Sequence, residues 1–165
     1  MNIVPSTFRR TAAIYRSAKF ISIETLSGAP GLIYREDEPY RIYLTPDAAN
    51  ELLGHTLLTA FVKSRFVDNS ESEFFDPDRA TRVYENWEKD VMQRYGFKSR
   101  CDANESMDWC GAQIFDGKIK IEPHRHRSPG SGWRNLPPEK TVIVLVTDDA
   151  EAVGAAVRLA LSRCE

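Results

Sequence analysis

With 165 residues, 42% of them hydrophobic and 28% charged, the chain has the size and make-up of one globular domain with a sizeable core. Its net charge of −2 argues against bulk affinity for nucleic acid or a membrane surface, and no apolar run approaches the ~18 residues of a membrane span. Three cysteines, Cys101, Cys110 and Cys164, lack paired spacing and point to thiols in a reducing cytoplasm rather than a disulfide framework.

Residues 1–18 are basic, without the continuous apolar core of a signal peptide, and have no clear period. They are set apart as an N-terminal extension or a first strand, with residues 19–165 forming a single domain. From Lys19 the pattern turns β: KFISIET, GLIYRE and YRIYLT, with turn-forming residues at 28–31 and 36–39 between them. An antiparallel meander is expected. Thr45-Pro46-Asp47 carries a helix-start signature, and Leu52, Leu53, Leu57, Ala60 and Phe61 form the stripe that follows, with His55 off it on the surface.

An acidic loop, DNSESEFFD, fills residues 68–76. Asp76-Pro77-Asp78 then starts a second helix; Ala80, Val83, Tyr84, Trp87, Val91 and Tyr95 recur at helical spacing, and Gly96 stops it. Residues 97–106 read as a polar linker. Asp116-Gly117 is the strongest hairpin signal in the chain, because both central residues of a type I′ turn need φ > 0. A two-residue turn sets Phe115 opposite Lys118, Ile114 opposite Ile119 and Ala112 opposite Ile121. Cys110, Ala112, Ile114, Ile119 and Ile121 then share the buried face. Gln113, Phe115, Lys118, Lys120 and Glu122 share the other, which continues to His124 and His126.

A Gly/Pro loop holding Trp133 is expected over residues 128–138. TVIVLV at 141–146 is apolar on both parities and is expected to be a central strand. Asp148 and Glu151 suggest a capping box for the last helix, whose packing face is Ala152, Val153, Ala156, Val157, Ala160 and Leu161. Gly154 within it suggests close approach to the sheet. The fold class is α+β: a mainly antiparallel sheet of five or six strands packed by three helices.

Little of this carries chemistry. His124 and His126 would lie about 7 Å apart on one strand face with Glu122, a spacing that suits a shared metal. No signal supplies a fourth ligand or a general base, and Pro123 weakens the strand, so an exposed strand end is the plainer reading. Cys110 falls on the apolar parity as a buried structural thiol, Cys101 is exposed in the linker, and Cys164 has no evident role. Gly-rich phosphate loops, nucleophile elbows and His-Glu-x-x-His are absent. No catalytic residue, cofactor or metal is therefore expected, and the chain is not expected to be an enzyme.

Charge says more. Between Asp68 and Asp108 eleven acids face six bases, a local balance of −5. Asp78 with Arg82, Glu85 with Lys89 and Asp90 with Arg94 account for part of it as i,i+4 pairs. The remainder gathers in two pieces expected to be non-helical, residues 68–76 and 102–108, near Phe74, Phe75 and Trp109. Glu71, Glu73, Asp76, Asp102, Glu105 and Asp108 are thus the candidate contacts for a basic protein partner, such as one that itself binds nucleic acid.

The order and spacing of several runs resemble CdiI-type immunity proteins of bacterial contact-dependent growth inhibition (CDI) systems. These are Tyr84-Glu85-Asn86-Trp87-Glu88-Lys89, Arg94-Tyr95-Gly96-Phe97-Lys98, Ser106-Met107 with Cys110, Ile119-Lys120-Ile121-Glu122-Pro123-His124-Arg125-His126, and residues 153–164. The resemblance implies a cytoplasmic inhibitor that binds the C-terminal toxin domain of a cognate CdiA-type effector, commonly a nuclease and often an RNase. It implies no nucleic-acid or membrane partner and no catalytic residues. Two other readings stay open: a small metal-dependent hydrolase using Glu122, His124 and His126, and an adaptor domain without an active-site partner.

Overall fold

The Asp116-Gly117 turn forms as its chemistry demands, with φ of 46° at Asp116 and 71° at Gly117. The structure, a computed structural model, describes residues 3–127 and 132–165. The turn joins β5 (Asp108–Phe115) to β6 (Lys118–His126) in the expected register, Phe115 opposite Lys118 and Ala112 opposite Ile121. β1 (Thr11–Arg16) lies against the other edge of β5 and also pairs with β2 (Ile21–Ala29), which puts it in the middle of the sheet.

Both outer edges are shared. β3 (Leu32–Arg35) takes the far half of β2, from Leu26 to Ala29, while β4 (Arg41–Leu44) takes the near half, from Ile21 to Glu24. The expected meander is therefore corrected: β3 and β4 both pair with β2 instead of running on from one another. At the opposite edge β7 (Trp133–Asn135) pairs with residues 124–126 of β6 and β8 (Val142–Leu145) with residues 118–121. The result is an antiparallel sheet of eight strands, ordered β3-β2-β1-β5-β6-β7 with β4 and β8 sharing its flanks.

β8 was expected at the centre and is at an edge. Val142 and Val144 pack inward, but Ile143 and Leu145 are 56% and 48% exposed, so apolar residues on both parities did not mean burial on both faces. Of the Gly/Pro loop expected over 128–138, residues 128–131 lie outside the described residues.

Among the described residues, four α-helices cover the sheet. α1 (Asn50–Lys63) starts later than Thr45-Pro46-Asp47 suggested. Residues 45–48 form a turn, with Ala48 N–H donating to Thr45 C=O, and Arg158 donates to the Pro46 and Ala48 carbonyls. Leu53, Leu57, Ala60 and Phe61 are buried as expected, whereas Leu52 is exposed. α2 (Pro77–Tyr95) has the expected ends: the Asp76 carboxylate accepts from Asp78 N–H, and Gly96 closes the helix at φ 68°. The linker expected at 97–106 holds a further short helix, α3 (Arg100–Glu105), capped by the Ser99 hydroxyl. α4 (Ala150–Ser162) is capped by Asp149, one residue after the expected Asp148.

α1 and α4 lie together on one face, over Ile14, Ile21, Ile23, Cys110, Ala112, Ile119 and Ile121. The close approach of Gly154 is to α1, not to the sheet. A Cβ there would fall 1.8 Å from Asn50 O, and a Cβ at Gly54 would fall 1.8 Å from Ala150 O, so each glycine admits the other helix's backbone. α2 and α3 lie on the opposite face, over Ala13, Tyr15, Phe20 and Met107.

Candidate functional site

The α2/α3 face is not fully covered. Between α2 and β3 on one side and β7 on the other, a cleft of about 300 Å³ opens onto the sheet. Its floor is Ala13 and Tyr15 of β1, Leu26 of β2 and Trp109 of β5; Ile33, Tyr34 and Arg35 of β3, Val83 and Tyr84 of α2, and Trp133 of β7 form its walls. Tyr15, Trp109 and Trp133 pack on one another with ring centroids 5.7–6.5 Å apart. Trp109 Nε1 and Trp133 Nε1 are buried donors without an acceptor among the described residues.

A buried ionic network supports the cleft from behind. Glu24 is 1% exposed and accepts from Arg35 Nε at 2.7 Å and from Arg41 at 2.7 and 2.9 Å. Arg35 also donates to the Tyr15 hydroxyl at 2.5 Å and lies 4.3 Å from the Trp87 ring centroid. Burial pushes the Tyr15 hydroxyl up to about 12. Although burial opposes it, the charge on Arg35 is held by Tyr15 and Glu24, and its pKa is raised. The carboxylate thus fixes two arginines whose stems and planes would otherwise sweep the cleft wall.

The six acids singled out from sequence do not form one surface. Glu71, Glu73 and Asp76 line an open groove with Asp37, Phe74 and Arg79 beside the N-terminus of α2. Arg79 donates to Asp37 and to the backbone carbonyls of Phe74 and Arg35, and Tyr34 meets Phe74 and Phe75 edge-on, so this groove adjoins the aromatic cleft. Glu71 has a weak partner, Arg65 at 3.7 Å; Asp76 is occupied as a helix cap.

Asp102 and Glu105 are on α3, contrary to the expected non-helical piece. Asp102 accepts from Lys98 N–H, and Glu105 from the Cys101 thiol. α3 docks near the middle of α2, where Asn104 donates to Glu88 and Arg100 pairs with Glu88 at 2.5 Å. At 1.5 Å per residue this is about 18 Å along the helix from Asp76. Asp108 points to the α1/α4 face, bound to Arg16 at 2.5 Å. Of the three expected helical pairs Asp90–Arg94 forms at 3.4 Å, while Glu85 turns towards Arg100.

The histidines also behave differently from an exposed strand end. His124 is 8% exposed and stacks on Trp109 at 3.8 Å, and burial holds its pKa below the usual value. His126 tilts against Trp133, and Glu122 pairs with Lys120 at 2.7 Å. Among the described residues no group of three His, Cys, Asp or Glu side chains is placed to hold a metal, so the Glu122, His124 and His126 site is not assembled. His55 and Cys101 are exposed and Cys110 is buried, as expected.

Sequence reasoning missed the cleft. Its aromatic residues come from five separate stretches, and only Trp109 and Trp133, isolated in polar surroundings, hinted at it.

Residues 10–164 match the family CdiI, described as CDI immunity protein. The chain is 28% identical over 172 aligned positions to the immunity protein CdiI-YPIII of Yersinia pseudotuberculosis serotype O:3 (strain YPIII), an alignment covering 93% of this chain and 94% of that protein. A solved protein of unknown function from Neisseria meningitidis, NMB0488, superposes with a TM-score of 0.88 at 27% identity, covering 100% of both chains. A chain of the CdiA-CT/CdiI toxin and immunity complex from Yersinia pseudotuberculosis superposes with a TM-score of 0.86 at 24% identity, over 96% of this chain and 98% of that chain, a likeness of fold. With nearly its whole length matched, this chain belongs to the family of CDI immunity proteins.

Proposed function

We propose that this immunity protein binds the C-terminal toxin domain of a cognate CdiA-type effector in the cytoplasm and neutralises it by occupation, without catalysing a reaction. The toxin in this reading is a nuclease, and an RNase before other kinds. The observation that carries it is the adjacency of an acidic groove to an apolar, aromatic cleft. A nuclease needs Lys and Arg along its substrate groove to bind phosphates. Carboxylates answer those cations without offering a bond to cleave. Glu71, Glu73 and Asp76 would supply this charge on one flank and Asp102 and Glu105 on the other. Asp108, already bound to Arg16, would contribute only at longer range. The cleft beside them suits an apolar anchor side chain, the kind of contact that carries most of the affinity at protein interfaces.

Long-range attraction chiefly speeds association and weakens with salt. Glu71→Lys with Glu73→Lys, and Asp76→Asn to keep the helix cap, should slow association with the cognate toxin by about an order of magnitude at low salt. Stopped-flow rates at two ionic strengths test this. An unchanged, salt-independent rate would place the toxin elsewhere. The isolated toxin domain should degrade RNA; RNA left intact would remove the nuclease assignment and leave binding standing. The immunity protein alone should degrade neither RNA nor DNA, and Glu122→Gln should protect as well as the wild type.

A further inference from the structure

Toxin binding as proposed makes no use of the thiols, yet two of them touch. Cys110 Sγ and Cys164 Sγ lie 3.6 Å apart, brought together from 54 residues' separation. Cys110 is fully buried in β5 opposite Ile14. Cys164 follows the last turn of α4 and is half-buried. The residue carrying one sulfur is thus partly open to solvent, while the other is enclosed. A disulfide needs the sulfurs to close from 3.6 Å to about 2.0 Å. Cys164 lies just beyond the end of α4.

We propose that Cys110 and Cys164 form a peroxide-sensitive dithiol that closes to an intramolecular disulfide, with Cys164 attacking and Cys110 resolving. The Cys164 thiolate attacks one oxygen of hydrogen peroxide. The O–O bond breaks, leaving a sulfenic acid on Cys164, and the departing hydroxide takes up the thiol proton as water. The Cys110 sulfur then attacks the sulfenic sulfur: the S–S bond forms, the S–O bond breaks, and the hydroxyl leaves with the Cys110 proton as a second water. Two thiols are oxidised and one peroxide is reduced to two waters.

The division of roles agrees with the surroundings. The hydrogen bond from Cys110 holds the Cys164 thiol below its ordinary pKa, whereas the same contact and burial push Cys110 well above its own. Arg16 and Asp108 are the charged groups beside the pair, and the Trp109 carbonyl accepts from Cys164 Sγ at 3.5 Å. The next residue ties this segment to β6: Glu165 N–H donates to His124 C=O, and His126 N–H to Glu165 C=O at 2.7 Å. Closing the disulfide would therefore fasten the segment beneath the Trp109–His124 stack, behind the cleft.

The test uses the full chain carrying Cys101→Ser, which removes the exposed third thiol. After hydrogen peroxide treatment, non-reducing digestion and mass spectrometry should find one cross-linked peptide holding Cys110 and Cys164, in a monomer lighter by about 2 Da. Amide exchange at His126 should slow by about tenfold. In Cys110→Ala, Cys164 should be trapped by dimedone as the sulfenic acid and, in a parallel sample without dimedone, should proceed to the sulfinic acid. In Cys164→Ser, Cys110 should stay unmodified. The proposal is overturned if Cys164 reaches the sulfinic acid in the presence of Cys110, if the product is a Cys164-linked dimer, or if Cys110 oxidises as fast without Cys164. The mass and cross-link readouts require no toxin, so they stand apart from the toxin-binding proposal.

Discussion

The two faces of this sheet use alternate residues of the same strands and bury different chemistry. Towards α1 and α4 the strands present isoleucine and alanine, and the helices answer with glycine, alanine, valine and leucine. The few polar groups there are tied up locally, as in Arg16 with Asp108 and the Thr25 hydroxyl with Ala60 C=O, and the helices close down until their backbones touch. Towards α2 and α3 the strands present Tyr15, Phe20, Tyr43, Trp109 and a buried glutamate, met by arginines and tryptophans. Large flat rings with N–H and O–H groups cannot be covered as completely, and they leave a cleft open above the sheet. The aliphatic face finishes its own packing, whereas the aromatic one is left open at the cleft.

The sharpest way to break this contrast is at Glu24. Glu24→Ala strands Arg35 and Arg41 in the interior and should cost about 3–5 kcal/mol in urea unfolding. A cost below about 1 kcal/mol would mean that water reaches the pair and that this face is not sealed. Trp87→Ala, removing a 2% exposed ring from under Arg35, should cost a similar amount, about 3–5 kcal/mol. Ile121→Val on the other face should cost only about 0.5–1.5 kcal/mol.

Alkali should also separate the faces. Burial raises Tyr15 from 10.0 to about 12, so the unfolded chain releases this proton first. The stabilisation is complete below pH 10 and is lost as the pH rises through 12. With about 1.4 kcal/mol per pKa unit, the loss is about 2–3 kcal/mol. Wild type and Tyr15→Phe compared across that window isolate it from the other buried tyrosines, and parallel curves would show that Tyr15 ionises freely. The smallest effects test the helix contact. Gly154→Ala would ordinarily stabilise a helix by about 1 kcal/mol, but should here destabilise by about 1–3 kcal/mol because its Cβ meets the Asn50 carbonyl. Gly111→Ala, whose nearest neighbour would be His124 Cε1 at 3.8 Å, should change melting by little.

What could be read in the sequence was local. Asp116-Gly117 dictates its own turn and hence the register of β5 and β6. Asp76-Pro77 and Gly96 mark both ends of α2 because caps act on adjacent backbone. α3 escaped notice because six residues are too few to show a period, although Ser99 was there as its cap. β8 was placed wrongly because an apolar run records affinity for a core and not the number of neighbouring strands. The candidate site was the least legible part. Asp76 and Asp108 look alike in a charge count, yet one caps a helix and the other is bound to Arg16 on the far face. The burial of Glu24 depends on Arg35 and Arg41 arriving from separate strands.

The reciprocal glycine contact also bears on how the protein comes into being during translation. α1 ends at Lys63 and α4 begins at Ala150, so the ribosome makes 86 residues between them. At about 5–20 residues per second, the apolar side of α1 waits between about 4 and 17 s for the helix that seals it. Throughout that interval the nascent chain holds β1 to β4 and α1, and by its end β5 to β8, but only half of their aliphatic cover. The aliphatic cover is complete only once α4 is made and Gly154 can meet Asn50 and Gly54 can meet Ala150. A nascent chain halted before α4 would expose a strip of Leu53, Leu57 and Phe61 as a chaperone substrate.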